Sequence, residues 1–214
     1  MQDGVIAWLR AAAGRVHEQA PSLTALDQAI GDGDHGINLD RGFGAIVAML
    51  DERPAPEDGT DDAAATADLL RQAGKTLISK VGGASGPLYG TAFLRMSTTV
   101  GDAEELDGND LAKLFRAAHD GVVQRGKASP GDKTMVDALR PAVEAFESAV
   151  ENGQPLAVAL DAAVRAAEEG RAKTIPMVAR KGRASYLGER SAGHQDPGAT
   201  SVTFLVAAAA ASLV

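Results

Sequence analysis

Val5, Ile6, Leu9, Ala12, Ala13 and Val16 recur at helical spacing near the start of the chain. Pro21 followed by Ser22 marks the end of that first helix, which is expected to run to about Glu18, and the start of a short second one. Leu23, Leu26 and Ile30 carry the second on the same period. A helix over about 36–50 then sets Ile37, Leu39, Phe43, Ile46, Val47 and Leu50 to one side, and the acidic, proline-broken stretch ERPAPEDGTDD reads as a surface loop. Further helices are predicted at about 61–80, 85–100, 109–125, 133–151, 155–170 and 198–213, roughly eight in all with the short second one counted in. No repeat of fixed period is evident. Short connections between long amphipathic helices favour antiparallel neighbours, so the expected fold is all-α, an eight-helix up-and-down barrel or bundle. Loops after alternate helices then share one end.

Composition sharpens this picture. The chain has 214 residues, 45% hydrophobic but only 4% aromatic, and its apolar content is dominated by alanine, a helix former, rather than by the residues strands prefer. One domain over residues 1–214 is expected. A net charge of -8 provides no general field for nucleic acid or anionic lipid, so neither a nucleic-acid nor a membrane partner is expected. The absence of cysteine removes disulfides, thiolate metal sites and cysteine nucleophiles, and agrees with a cytoplasmic location. The N-terminal MQDGVIAWLRAAAGR lacks the layout of a signal peptide. The apolar end TSVTFLVAAAAASLV is short of the ~20 residues a membrane span needs, and fits a buried closing helix.

The stretch IGDGDHGIN, residues 30–38, contains a literal G-x-G-x-x-G with Asp32 and Asp34 planted inside it. A dinucleotide fingerprint follows a strand; this one follows the helical pattern of SLTALDQAI, and two acids in a phosphate-binding turn would repel the ligand unless a cation lies between. Asp27 sits just upstream. Three close carboxylates with only oxygen donors around them suit a hard ion, magnesium before manganese or calcium. An EF-hand is excluded, because counting from Asp32 its glycine would fall on Ile37 and its glutamate on Phe43. A simpler alternative is that Asp32 or Asp34 only caps the next helix. His35 is open between ligand, proton shuttle, phosphate contact and plain structural histidine, and Asn38 lies where a helix N-terminus can present donors to an anion.

Three further loops are too rich in glycine and polar residues to be mere turns. VGGASGPLYGT lacks the lysine of a Walker motif, yet Gly82 to Gly86, with Ala84 and Ser85 among them, place amides and a hydroxyl just before a helix. Close packing through small residues explains the same stretch equally well. GKASPGDKT is the second. In the third, RKGRASYLGERSAGHQDPGATS, Arg180, Lys181, Arg183 and Arg190 cluster in an otherwise acidic chain ahead of an Asp196-Pro197-Gly198 turn, where Asp196 can accept hydrogen bonds from a sugar or base. Positive charge beside magnesium-type carboxylates suggests a polyphosphate ligand, with Met135 and Leu88 as candidate apolar walls for a base, although core packing is the commoner fate of both.

GDGDHG, VGGASGPLYGT, RGKASPGDKTM and RKGRASYLGERSAGHQDPGATS, in this order, resemble the nucleotide-binding L subunits of dihydroxyacetone kinases, from about Trp8 to the C-terminus. The resemblance implies an eight-helix antiparallel barrel with ADP or ATP in loops at one end, its phosphates bound through two magnesium ions held by three aspartates, matching Asp27, Asp32 and Asp34. It also implies nucleotide contacts from His35, Gly36, Ile37, Asn38, Ala84, Ser85, Gly126, Met135, Arg183, Asp196, Pro197 and Gly198. In the phosphoenolpyruvate-dependent version, a phosphocarrier M subunit rephosphorylates retained ADP, and the phosphate passes to dihydroxyacetone on a K subunit. These two subunits are the implied partners, and a homodimer stays open. Arg183 is the residue in this chain expected to act on the transferring phosphate.

Two other readings remain: the nucleotide domain of an ATP-dependent ketone-sugar or fatty-acid kinase, and a non-catalytic nucleotide-sensing module. The chain's length favours the phosphoenolpyruvate-dependent subunit.

Overall fold

The computed structural model describes residues 1–54, 61–101 and 106–213. Among them lie eight α-helices: α1 (Gln2–Ile30), α2 (His35–Glu52), α3 (Asp62–Lys80), α4 (Ser85–Thr99), α5 (Gly108–Gly126), α6 (Val136–Glu151), α7 (Leu156–Lys173) and α8 (Pro197–Ser212). A 3-10 segment, Arg183–Ser191, interrupts the long α7–α8 connection, where the sequence pattern predicts no helix. Most of the predicted acidic surface loop after α2 lies outside the described residues. No helix among the described residues is long and apolar enough to cross a membrane.

The first two predicted helices are one. α1 runs straight through Pro21, which does not close it. Pro21 and Ser22 sit on the exposed side, where water can satisfy the carbonyl that loses its amide partner, while Val16, Ala20, Leu23, Asp27 and Ile30 keep one buried face along the whole length. Continuous burial on one side outweighs a proline on the other.

Helix starts follow local chemistry. Asp61, Asp107 and Asp196 cap α3, α5 and α8, accepting the amides of Ala63, Asp110 and Ala199 at 3.0, 2.8 and 2.7 Å. Pro197 then occupies the first turn of α8, where a missing amide costs nothing.

Each helix packs on the next in sequence, and α8 returns against α1, so the ring closes. The C-terminal apolar segment is therefore the closing stave of a barrel, as its composition suggested. Trp8 of α1 fastens this seam by donating its indole N–H to the Leu205 carbonyl of α8 at 3.0 Å. Inside, Trp8 meets Phe93 and Phe115 at ring-centroid distances of 5.6 and 6.4 Å, and Phe115 meets Phe146 edge-on at 5.1 Å. Phe93 and Phe146, which are fully buried, each contribute roughly 1.5–3 kcal/mol through removal from water. With few aromatics and many alanines the interior does not fill completely, and a cavity of about 70 Å³ remains among Trp8, Phe93, Leu139 and Leu205.

Up-and-down order brings the C-termini of odd-numbered helices and the N-termini of even-numbered ones to a single end. That end carries the three glycine-rich turns and the basic loop.

Candidate functional site

At that end lies a cleft of about 920 Å³ lined by residues from every predicted motif. One wall is acidic. Asp27, Asp32 and Asp34 each bring a carboxylate oxygen within 4.8 Å of the others. Asp27, on the last turn of α1, is 8% exposed and turned inward. Its Oδ2 accepts the amides of Asp34 at 2.9 Å and His35 at 3.1 Å, so α2 is capped from the preceding helix. Asp34 makes no side-chain cap, which removes the simpler alternative for that residue. Gly31 is required here: a Cβ on it would overlap Asp27 Oδ1, and any larger residue would push the carboxylate out of the turn.

The facing wall offers donors. Gly82, Gly83, Ala84 and Ser85 line the cleft where α4 begins, so the free amides and the positive end of a 15-residue helix point into it. The packing explanation also holds in this stretch, at Gly82, where a Cβ would press on the Asn38 side chain, and at Gly86, where it would overlap the Val81 carbonyl. Arg125, Arg180, Lys181 and Arg183 add positive charge around the rim, while Leu88, Val122, Gly126 and Met135 provide an apolar patch. Arg183 is turned to the acids, its Nε 2.8 Å from Asp32 Oδ2. Arg190 does not line the cleft.

His35, Ala84, Ser85, Gly126, Met135, Arg183, Asp196, Pro197 and Gly198 all reach the cleft, together with the three aspartates. Gly36, Ile37 and Asn38 do not line it. Gly36 is buried against the Ala20 carbonyl of α1, Ile37 is exposed, and Asn38 accepts a hydrogen bond from Arg41 at 2.6 Å behind the Gly82 turn. Asp196 reaches the cleft with its carboxylate already committed to the α8 cap.

Sequence reasoning missed Lys133. The residue is 1% exposed, with left-handed backbone at φ 61°, and no carboxylate forms an ion pair with it among the described residues. Its ammonium donates to four carbonyls instead: Ser191 and His194 at 2.6 Å, Met177 at 3.0 Å and Ile175 at 3.5 Å. These come from both sides of the basic loop, which the Arg180 amide also ties to the Asp132 carbonyl at 3.0 Å. No pattern could have signalled it, since backbone carbonyls are the same in every residue.

Burial pushes the Asp196 carboxyl up to about 7, and the Asp137 carboxylate adds to the rise against the Ala199 and Gly198 amides and the Lys133 ammonium. Burial also holds the His35 imidazole below its ordinary range, against the pull of Asp27 and Asp34.

The profile of the DAK2 domain matches residues 29–211. The chain belongs to the DAK2 domain family. Among DAK2 relatives, the "PEP-dependent dihydroxyacetone kinase, ADP-binding subunit DhaL" of Escherichia coli (strain K12) is 46% identical over 202 residues, 94% of this chain and 92% of that one. The ADP-binding subunit DhaL of "PEP-dependent dihydroxyacetone kinase 1" from Listeria innocua is 45% identical over 95% of this chain and 93% of that subunit. The fold matches two structures of the dihydroxyacetone kinase of C. freundii, covering 96% of this chain and 33% of that one in each case. The native form aligns with TM-score 0.72 at 24% identity, and the complex with AMP-PNP and Mg2+ with TM-score 0.68 at 25% identity. The DAK2 chain thus spans about a third of the C. freundii protein.

Two predictions arise from the buried charges. Lys133→Met, which keeps the stem and removes the ammonium, should lower stability by about 3 kcal/mol, because several buried carbonyls lose a charged donor at once. Hydrogen exchange should show the amides of residues 175–194 losing protection first; uniform loss across all helices would contradict the local role of Lys133. Asp196, with a folded pKa near 7 against an ordinary value of 3.8, binds in the native state a proton that the unfolded chain has released between those values. Its favourable contribution is full below that window and is lost as pH rises through it. Asp196→Asn keeps a capping oxygen without the charge, so urea titrations from pH 4 to 8 should show the variant gaining on the parent as pH rises. A pH-independent difference would contradict the shift.

Proposed function

We propose that this chain is the ADP-binding subunit of a phosphoenolpyruvate-dependent dihydroxyacetone kinase, with residues 1–214 forming one ADP- and magnesium-binding unit. The reading rests on one observation: three carboxylates with oxygen atoms within 4.8 Å of one another face the N-terminal turn of α4 and a basic loop across a single cleft. The relatives named as ADP-binding subunits, and the C. freundii complex with AMP-PNP and Mg2+, support the same assignment.

The donor set fits the metal. Oxygen-only ligands suit Mg2+, and clustered acids so close together would repel one another without a cation. Asp27, Asp32 and Asp34 would hold two magnesium ions, which supply charge neutralisation for the nucleotide phosphates. Gly82 to Ser85 give amides and a hydroxyl to the phosphate oxygens, and Leu88 and Met135 pack on the base. Arg183 leaves Asp32 for the transferring phosphoryl group, an exchange that needs only a short swing of an exposed side chain. In this reading the phosphocarrier M subunit phosphorylates ADP held in the cleft, and the K subunit presents dihydroxyacetone to receive the phosphate. This chain's residues align and neutralise, while the base that activates the ketone-sugar hydroxyl lies on the K subunit. The cytoplasm is the compartment that fits such partners.

Mass analysis of the nucleotide carried by the purified chain, followed by addition of K and M subunits with either phosphoenolpyruvate or ATP, tests the assignment. Transfer with ATP alone, independent of M, would replace it by an ATP-dependent kinase; no transfer with either would leave nucleotide sensing. Asp34→Ala is expected to abolish magnesium-dependent ADP retention in calorimetry while keeping the helical circular-dichroism spectrum, and parental affinity would sink the metal assignment. Arg183→Ala should slow transfer at least ~10²-fold, more than it weakens ADP binding, since a guanidinium facing developing charge acts mainly in the transition state. Arg183→Lys should restore only part of the rate, and a parental rate in Arg183→Ala would remove the catalytic role.

A further inference from the structure

Four side chains from three helices form an unbroken hydrogen-bonded line from the barrel interior to the cleft. Tyr89 Oη lies 2.7 Å from Ser201 Oγ, Ser201 Oγ lies 2.8 Å from His35 Nε2, and Ser85 Oγ lies 3.2 Å from His35 Nδ1. Tyr89 and Ser201 are buried, and Ser85 lines the cleft at the start of α4. Tyr89 and Ser201 lie inside the motifs VGGASGPLYGT and RKGRASYLGERSAGHQDPGATS, but nothing in the sequence singles either out as part of the site.

The direction of this line follows from counting protons. Ser201 is the only hydrogen-bond partner of the Tyr89 hydroxyl among the described residues, so the phenol proton goes to Ser201 Oγ rather than stay buried and unpaired. The Ser201 proton then has two acceptors in reach, His35 Nε2 at 2.8 Å and the Gly198 carbonyl at 3.1 Å. Given to Nε2, it leaves a neutral imidazole with its own proton on Nδ1, which donates to Ser85 Oγ; the Ser85 proton is then free to point into the cleft. Given to Gly198, it leaves the imidazole proton on Nε2, Nδ1 takes the proton of Ser85, and Ser85 shows only lone pairs to the cleft. The first arrangement makes the cleft wall a donor to phosphate oxygens, and the second makes it repel them. The shorter contact favours the first, donation from Tyr89 polarises the Ser201 hydroxyl into a better donor in the same direction, and the Pro197 carbonyl is a further acceptor for the ring N–H.

We propose that Tyr89 and Ser201 are positioning residues that hold His35 as its Nδ1–H tautomer and thereby turn Ser85 into a hydrogen-bond donor toward the nucleotide phosphates. The last link rests on the ADP reading above. Without the Tyr89 hydroxyl, the Ser201 O–H loses the donation that polarises it toward Nε2, its proton turns to the Gly198 carbonyl, and Ser201 Oγ accepts from Nε2–H, which reverses the line.

Nitrogen-15 NMR of the histidine side chains in the full chain at pH 8, without nucleotide, reads the tautomer directly, with the His35 signals assigned by their absence in His35→Gln. The parental chain should show Nδ1–H. Tyr89→Phe, which keeps the ring against Phe43, and Ser201→Ala should both show Nε2–H or a mixture, with magnesium-ADP affinity about fivefold weaker, the scale of one hydrogen bond. An Nε2–H ring or an imidazolium in the parent, or a tautomer unchanged in either variant, overturns the relay whatever the affinities are. Absence of ADP binding by a parental chain with an Nδ1–H ring counts against the kinase reading alone, while an Nε2–H ring in a chain that does bind ADP counts against the relay alone.

Discussion

The Lys133 ammonium is the point on which the open end of the barrel depends. The connection between α7 and α8 is long and polar, and its apolar hold on the helices is a small cluster in which Ala179, Ala184 and Leu187 pack on Ile30 at the end of α1. A buried cation among carbonyls of residues 175, 177, 191 and 194 adds to that small cluster, gathering both ends of the loop around one charge. Burial draws the Lys133 pKa down and the Asp196 charge draws it back up, so the ammonium is held by carbonyl dipoles and a nearby acid rather than by a direct ion pair. From this anchor follow the places of Arg180, Lys181 and Arg183 on the rim and of the Asp196 cap at the start of α8.

The opposite side of the cleft is organised by an acid. Asp27 spends one oxygen on the amides that begin α2 and still belongs to the three-carboxylate group, so the same residue fixes the turn and contributes to its charge. A buried cation organises the basic loop and a buried carboxylate organises the acidic turn, with the cleft between them. The Arg183–Asp32 pair is the one direct ion pair across that gap among the described residues. A polyphosphate with magnesium is complementary to such a layout, because cations satisfy the acids while its oxygens meet the amides, the Ser85 hydroxyl and the guanidinium.

The up-and-down barrel makes this arrangement economical. Alternate helix ends converge without any long crossover, so residues separated by over a hundred positions, such as Tyr89 and Ser201, come within hydrogen-bond distance. The apolar interior gives the ring its stability, and the end loops are left free to carry polar groups.

Periodicity along the chain was enough to place the helices from α2 to α8 within a few residues, because a 3.6-residue repeat of burial is a local property written into each segment. The acids at 27, 32 and 34 were likewise legible, since closeness in sequence forces closeness in space. Three things were decided only by the tertiary structure. α1 passes through Pro21 because its buried face is set by α2 and α8, which a local breaker rule does not see. Gly36, Ile37 and Asn38, neighbours of the acidic turn, face away from the cleft because the helix rotates each successive side chain by about 100° and packing chooses which faces in. Lys133, Tyr89 and Ser201 acquire their places from partners about 40 to over 100 residues distant, two of them hydroxyls, one an imidazole and four backbone carbonyls. Sequence spacing carries information about neighbours along one helix, and a hydrogen bond between helices depends on how the helices pack.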